Sequence, residues 1–180
     1  MTKYAVYVTS GPYDVGSDGN INTGNLPAPS PGVSNISSVK LSTIRFTTTT
    51  STFALTELAF TVSNTIHYTF DFGVVYASRI SSTGLRLGLQ YPAVSSFAAN
   101  VRIPQVVATG TDSETQGNII ISGSSVVAPA TPLASTQYFA NVYGSIVPSA
   151  NGTLQLTYAT EVAGQAISTF VGSYGTLITL

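Results

Sequence analysis

The chain has very few charged residues. Asp, Glu, Lys and Arg together make up 7% of its 180 residues, against about 25% in ordinary globular proteins. A disordered chain combines low hydrophobicity with high net charge, whereas here 43% of the residues are hydrophobic and the formal net charge is −1. We therefore expect a folded protein with a neutral, polar surface made largely of Ser, Thr, Gly and Asn.

Several residue types that build functional sites are scarce. There is no cysteine, so the chain has neither a disulfide nor a thiolate site, and its single histidine excludes a metal site made of several histidines. No run of about 18 apolar residues exists to span a membrane, and no signal-peptide core follows Met1. We expect synthesis in the cytosol and no membrane partner.

The basic residues do not form a cluster. Nucleic-acid binding needs grouped cations that displace counterions from phosphates, so we expect no nucleic-acid partner. The six basic residues are scattered along the chain: Lys3, Lys40, Arg45, Arg79, Arg86 and Arg102.

From position 39 onward, apolar residues recur at every second position. The segment "IHYTFDFGVVY" (66–76) has one apolar face and one mixed face, and "GLRLGLQ" (84–90) and "TLQLTYA" (153–159) repeat this alternation, which is typical of half-buried strands. Turn signals separate the segments, and Asn151-Gly152 is the strongest hairpin signal among them. No segment has a convincing helical period. The sequence therefore predicts an all-β, antiparallel sandwich, most simply a jelly roll, and the other candidate strands are 40–48, 52–62, 97–108, 117–127, 136–147, 165–171 and 174–179.

The first 37 residues differ from the rest. A short apolar segment near the start is followed by a long stretch rich in Gly, Pro, Asn and Ser, which is typical of a loop. We divide the chain into an extended N-terminal arm, residues 1–37, and a β-sandwich domain, residues 38–180. Two interpretations of the first segment stay open: an arm that packs on another surface, or a disordered leader.

Some strands carry more apolar residues than one sandwich can bury. Ile119, Ile120 and Ile121 are consecutive, which predicts a strand covered on both faces, and Tyr138, Phe139 and Tyr143 cannot all point to one side. Association between copies would cover this surplus. For the apolar C-terminal segment, we expect a strand that lies within a sheet or at a subunit interface.

No combination of residues indicates an active site. His67 and Asp71 lie on one strand face about 13 Å apart at strand rise, too far for a hydrogen bond, so we interpret His67 as a surface or interface residue. Asp112 and Glu114 could pair as in glycosidases, but they occupy a segment that we predict to be a polar turn, away from an aromatic cleft. We expect no catalytic, cofactor-binding or metal site, and no cofactor.

Weaker signals also have simple structural interpretations. The segment that starts at Asp14 resembles a calcium loop, but it has Gly16 and Asn25 where ligands are required, so we interpret it as a solvated turn. We expect Glu161 to be either a surface charge or the partner of Arg45, Arg79, Arg86 or Arg102, and we favour the ion pair. Asn35 and Asn151 begin glycosylation sequons that we interpret as chance matches. Gly84, Gly88, Gly144 and Gly164 predict bulges and turns.

Two segments resemble a β domain that recurs in virion proteins of tailed bacteriophages. They are "LTELAFTVSNTIHYTFDFGVVYASRISSTGLRLGLQYP" and "YFANVYGSIVPSANGTLQLTYATEVAGQAISTFVGSYGTLITL". The first has an x-L-x-F strand, an aromatic strand that ends in Ser, then Thr-Gly and an apolar strand that ends in Pro. The second has G-T-L-x-L, E-V-A-G-x-A and G-S-Y in order. The resemblance covers roughly residues 39–180, and its motifs are patterns of turns and faces without a catalytic signature.

The resemblance implies a structural role. In that family the domain serves as a head decoration or cement module or as the tip of tail fibres, is usually trimeric, and is not an enzyme. Since the chain shows neither a coiled-coil nor a collagen-like shaft, we expect a trimeric cement protein on the outer surface of the capsid, bound to the major capsid protein. The arm, 1–37, is the candidate contact to the shell or to a neighbouring subunit. The alternative is a fibre tip or a carbohydrate-binding adhesion module, for which Tyr13, Tyr91 or Tyr143 could supply aromatic surface.

Overall fold

The computed structural model describes residues 36–106, 112–131 and 133–180, and this part of the chain consists of strands and their connections. No helix in these ranges is long and apolar enough to cross a membrane. The twelve strands, in chain order, are β1 (Ile36–Lys40), β2 (Arg45–Thr47), β3 (Phe53–Val62), β4 (Tyr68–Ser78), β5 (Leu85–Gln90), β6 (Val94–Val106), β7 (Asp112–Ile119), β8 (Ser125–Val127), β9 (Tyr138–Pro148), β10 (Gly152–Thr160), β11 (Ile167–Thr169) and β12 (Tyr174–Thr179).

The strands form two antiparallel sheets. The larger sheet has the order β1-β12-β4-β9-β6-β7, with β11 and β2 added beside β4, and the smaller sheet has the order β3-β10-β5-β8. The four strands β1-β12-β4-β9 and the four strands β3-β10-β5-β8 have the connectivity of a jelly roll, in which the chain passes repeatedly between two sheets. The β6–β7 hairpin extends the larger sheet. The predicted all-β antiparallel sandwich is confirmed.

The core lies between the two sheets and is filled by the faces that alternation predicts. Every second residue of β4 from Tyr68 to Tyr76 is buried, as are the leucines of β5 and the first apolar residues of β10. Phe60 of the smaller sheet meets Phe72 of the larger one with ring centroids 5.6 Å apart. At the end of the same β4 face, the Tyr76 hydroxyl donates a hydrogen bond of 2.9 Å to the Pro104 carbonyl oxygen. Burial of this phenol raises its pKa.

The C-terminal strand is covered on both sides by other strands. β12 pairs with β4 through Tyr174–Thr179 and with β1 through Tyr174–Ile178 on its opposite edge. Leu177 is buried in the core, and the Leu180 amide donates to the His67 carbonyl oxygen at 2.9 Å. The expectation that the apolar end lies within a sheet is therefore confirmed.

The segment predicted as one strand, 40–48, forms two short strands separated by a turn. β1 pairs with β12 and β2 pairs with β11. A turn with Gly172 at φ +107° separates β11 from β12. Because β1 and β2 pair along the edge that β12 and β11 form, the strand on that edge is interrupted at the same place. Leu41 fills the break and is buried. The predicted arm, 1–37, lies outside the described residues except for Ile36 and Ser37, which begin β1.

The segment predicted as a strand over 117–127 is also interrupted. β7 ends at Ile119 and β8 begins at Ser125, with a turn between them that contains Gly123 at φ +84°. Ile119 is buried, but Ile120 is 81% exposed and Ile121 is 67% exposed. The prediction of one continuous strand over 117–127 is therefore wrong, because Ile120 and Ile121 lie in the turn. That association between copies covers these isoleucines stays a prediction.

Asn151-Gly152 does not form a hairpin, which corrects the sequence-based prediction. β9 belongs to the larger sheet and β10 to the smaller one, so this connection crosses the sandwich. The residues serve as local contacts instead. The Asn64 amide donates to Asn151 Oδ1 at 2.8 Å, and a Cβ at Gly152 would lie 2.7 Å from Pro92 Cβ.

The connection between β1 and β2 is tied to β3 by one carboxylate. Glu57 accepts hydrogen bonds from the Ser42 hydroxyl at 2.8 Å and the Ser42 amide at 3.3 Å, and it forms a salt bridge of 3.1 Å with Arg45. The Ser42 hydroxyl and amide, together with Arg45, lower the pKa of Glu57 below its ordinary value, against a smaller opposing effect of burial.

We expect Leu156→Ala to lower the free energy of unfolding by about 2–5 kcal/mol, because Leu156 is fully buried and the substitution leaves a cavity. Thr153→Ala, at an exposed position on the same strand, is the matched control and should stay within about 0.5 kcal/mol of the parent. Urea unfolding followed by circular dichroism measures both. Equal effects of the two substitutions would contradict the assignment of these faces.

We also expect Ser42→Ala to raise the pKa of Glu57 toward its ordinary value. A carboxyl whose pKa is lower in the folded state stabilises the fold above its unfolded pKa, and this stabilisation is lost as the pH falls through the folded pKa. In the variant the total loss should therefore be smaller and should be complete at a higher pH, while its onset, set by the unfolded pKa, stays the same. Carboxyl-carbon NMR titration measures the pKa, with Thr43→Ala as the control. An unchanged Glu57 pKa in Ser42→Ala would show that these hydrogen bonds do not set it.

Candidate functional site

The outer face of the larger sheet, meaning the side that points away from the smaller sheet, carries the side chains most suited to recognition. Its two ends differ in chemistry. Near the β2–β11 end the exposed groups are mainly aromatic, and near the β6–β7 edge a groove contains neutral polar groups. We describe these two regions in turn.

An aromatic patch occupies the first region. Phe139 of β9 and Tyr174 of β12 stack with ring centroids 6.2 Å apart. They can meet because Gly73, on the strand between them, has no side chain: a Cβ there would lie 2.5 Å from an atom of each ring. The strand register places five residues of β2, β4, β9, the β11–β12 turn and β12 on this outer face, and we call them the aromatic patch: Phe46, Val75, Phe139, Phe170 and Tyr174.

Much of this patch is uncovered in the described part of one chain. Phe46 is 72% exposed and Phe139 is 44% exposed. Tyr174 is held at its rim, where its hydroxyl lies 3.4 Å from Asp71 Oδ2. Desolvation, and to a lesser extent the Asp71 carboxylate, raises the pKa of Tyr174. The phenol is therefore neutral at physiological pH, and the patch presents apolar rings to its surroundings.

The groove lies four residues further along β9 and has a volume of about 740 Å³. Its floor follows a row of small side chains across three strands, in which Ser145 of β9 pairs with Thr69 of β4 and with Ala98 of β6. The phenol ring of Tyr143 forms one wall and the exposed Ile120 stands at the β7 end. Small residues beside a large aromatic side chain thus create an open trough.

Neutral hydrogen-bonding groups line the groove beside Tyr143. Asn100 lies opposite Tyr143 on β6, and its amide nitrogen donates to Asn118 Oδ1 of β7 at 3.2 Å. Asn100 Oδ1 is buried and has no hydrogen-bond partner among the described residues. Two hydroxyl groups, from Thr69 and Ser145, complete the polar lining. The described residues that line this groove include no Asp, Glu, Lys or Arg.

Charges of opposite sign flank the Tyr143 ring without lining the groove. The Arg102 guanidinium lies 5.5 Å from the ring centroid, within the distance of a cation–π contact. Asp71 is the cross-strand partner of Tyr143 on the other side. Since one positive and one negative group stand on either side, the surroundings of the ring are close to neutral.

A second, smaller cavity of about 390 Å³ opens between β2 and β3, around the Arg45–Glu57 salt bridge. Tyr158 lies at its inner end, where burial raises the pKa of the phenol to about 12. The Arg45 and Glu57 side chains are already paired with each other across the cavity. The charged groups of this cavity therefore make contacts that hold β2 and β3 together.

The acidic and histidine candidates from the sequence are not brought together. His67 is exposed in the connection before β4. The prediction that it shares a strand face with Asp71 is therefore wrong. Asp112 and Glu114 belong to β7 and not to a polar turn, so that prediction is wrong; Glu114 accepts a hydrogen bond of 3.4 Å from Gln116. Among the described residues, no group of three or more His, Asp or Glu could hold a metal ion.

Glu161 does not form the predicted ion pair with Arg45, Arg79, Arg86 or Arg102. Its carboxylate accepts a hydrogen bond from the Gly84 amide at 3.0 Å, and its own amide donates to the Gly84 carbonyl oxygen at 3.0 Å. The carboxylate therefore finds a backbone donor across the smaller sheet. A Cβ at Gly84 would collide with the Ala128 carbonyl oxygen, which explains the glycine at that position.

Of the two tyrosines considered for ligand contact that lie among the described residues, Tyr143 lines the groove and Tyr91 does not. Tyr91 packs against Phe97 with ring centroids 4.0 Å apart, and Phe97 reaches the groove from the core side. Tyr13, the calcium-like segment from Asp14 and the Asn35 sequon lie outside the described residues. Sequence reasoning missed Asn100 and Asn118, because their pairing depends on the register between β6 and β7.

Comparisons with known proteins give a limited result. No protein-family profile and no curated protein sequence matches the chain. The tailed-phage resemblance therefore stays a prediction.

Among solved structures, two matches are VP2 proteins of infectious bursal disease virus. One is a mutant VP2 protein in derived T=1 particles, with 12% sequence identity and a TM-score of 0.30, over 83% of this chain and 40% of that chain. The other is a VP2 subviral particle, with 11% identity and a TM-score of 0.30, over 83% of this chain and 42% of that chain. This chain thus spans less than half the length of the VP2 chains it matches.

Proposed function

We propose that the chain is a structural virion protein of a tailed bacteriophage, most specifically a decoration or cement protein on the outer surface of the capsid. It acts as a homotrimer bound to the major capsid protein and has no enzymatic role. The observation that carries the proposal is the aromatic patch, because a stable jelly-roll domain with rings left uncovered on its outer face is suited to association.

The patch has the composition of an interface core. Aromatic residues are enriched at the centres of protein interfaces and charged residues are depleted there. The patch itself contains no charged side chain, and Tyr174 at its rim is neutral. Burying Phe46 and Phe139 against a second copy would remove apolar surface from water and favour association. A closed symmetric oligomer allows each copy to bury its patch without leaving a free end.

The electrostatic character of the chain supports an outer position on a shell. A protein in contact with packaged nucleic acid needs clustered cations, and the basic residues of this chain are scattered. The resemblance to virion β domains over residues 39–180 points to the same role.

The first test is the mass of the full chain in dilute solution, measured by size exclusion with light scattering. We expect a trimer of about 56 kDa, from chains of 18.6 kDa. Phe46→Ser should shift the mass toward that of one chain, because it removes the most exposed ring of the patch. Leu133→Ser, which changes a residue that is 63% exposed and lies outside the patch, is the control and should leave the mass unchanged. A monomeric parent chain would contradict the trimer.

The second test concerns attachment to a shell. Capsids that lack this protein should lose resistance to heat and regain it when the full chain is added back. We expect a chain without residues 1–33 to keep its mass and its circular dichroism spectrum but to bind at least tenfold more weakly, because the arm is the proposed contact. This deletion leaves β1 intact, since β1 begins at Ile36. Equal binding by the shortened chain would rule out the arm contact, and failure of the full chain to bind would rule out the cement role.

A further inference from the structure

We propose that the groove beside Tyr143 is a binding site for a neutral saccharide. The proposal goes beyond the assembly role and does not depend on it, because the groove and the aromatic patch are separate regions of the outer face. Four observations carry it: the size of the groove, the outward-facing Tyr143 ring at its wall, its uncharged polar groups and the Asn100 Oδ1 acceptor that has no partner among the described residues.

The size and shape suit a small ligand. Ligand sites in proteins commonly measure about 300–1,000 Å³ and combine apolar walls with a few polar groups. The groove measures about 740 Å³, is open along one side, and has a floor of small side chains at Thr69, Ser145 and Ala98. An open trough accepts part of an extended chain as well as a single ring.

The aromatic wall fits the apolar face of a sugar ring. A pyranose has C–H groups on its faces and hydroxyl groups around its rim, so it can pack its face on an aromatic ring while the rim bonds to polar groups. Tyr143 supplies such a ring, and Arg102 packs against that ring and supports its position. This geometry places hydroxyl groups of the ligand beside the amides and hydroxyls of the neighbouring strands.

The polar lining is matched to hydroxyl groups. A carboxamide both donates and accepts hydrogen bonds, as a hydroxyl does, and the groove contains two carboxamides and, with the Tyr143 phenol, three hydroxyls. Asn100 Oδ1 has no partner among the described residues, while its amide nitrogen is bound to Asn118. Neighbouring protein atoms cover this oxygen. The Asn100 side chain must therefore rotate slightly before the oxygen can accept a hydrogen bond from a ligand hydroxyl.

The lining argues against other occupants. An anionic ligand needs a cation in the groove and a cationic ligand needs an anion, and no charged side chain lines it within the described residues. The nearest charges, Arg102 and Asp71, are of opposite sign and flank the ring. A side chain from a second copy would fill the space but would leave the amides and hydroxyls without partners, which costs free energy.

The test uses the full chain and an array of neutral and acidic oligosaccharides, followed by calorimetric titration with each neutral compound that binds. We expect saturable binding to at least one neutral oligosaccharide, with amide NMR shifts in β6, β7 and β9. Tyr143→Ala should weaken this binding at least tenfold, and Tyr143→Phe, which keeps the ring, should bind within threefold of the parent. Ser145→Phe should abolish binding because it fills the trough.

Phe139→Ala is the matched control, since it removes an exposed aromatic residue from the same strand outside the groove. Phe139→Ala should bind the oligosaccharide as tightly as the parent does. The titration measures the affinity of each chain, so a change in oligomeric state does not affect this comparison. The proposal is overturned if no neutral compound binds, if acidic compounds alone bind, or if Phe139→Ala weakens binding as much as Tyr143→Ala. It is also overturned if Tyr143→Ala dissociates the oligomer, because the groove would then be an interface between copies.

Discussion

The pairing of β4 with three other strands is the constraint on which the rest of the structure depends. One edge of β4 pairs with β9, and its other edge pairs first with β12 and then with β11. Its apolar face fills the core from Tyr68 to Tyr76. Because β12 and β11 share one long edge, the turn between them also divides β1 from β2. A single strand therefore determines the position of the chain end and the shape of the opposite edge.

The outer face follows from the same pairing. Once β12, β4 and β9 are in register, Gly73 lies between Tyr174 and Phe139, and the missing side chain allows their rings to stack. Four residues before Gly73 on β4, Thr69 lies opposite Ser145, where small side chains form the groove floor. The alternation of glycine, aromatic and small residues along two neighbouring strands thus produces both a raised patch and a trough.

The faces of the strands could be predicted from the sequence, but their partners could not. Alternation along one segment is a local property, and it correctly placed the buried residues of β4, β5 and β10. Asn151-Gly152 has local turn chemistry, yet the strands on either side enter different sheets, since sheet membership depends on distant pairing. Glu161 was expected to meet an arginine, but a backbone amide from Gly84 lies nearer. The Asn100–Asn118 pair similarly depends on a register that no single segment reveals.

The proposed assembly and the proposed saccharide site are compatible on one face because their positions and their chemistry differ. Phe139 and Tyr143 are four residues apart on β9, about 13 Å at the rise of a strand, so a neighbour that covers the first can leave the second open. Apolar rings gain free energy when another protein surface excludes water, whereas amides and hydroxyls must keep hydrogen bonds when they are covered. A protein partner therefore suits the patch, and a hydroxyl-rich ligand suits the groove.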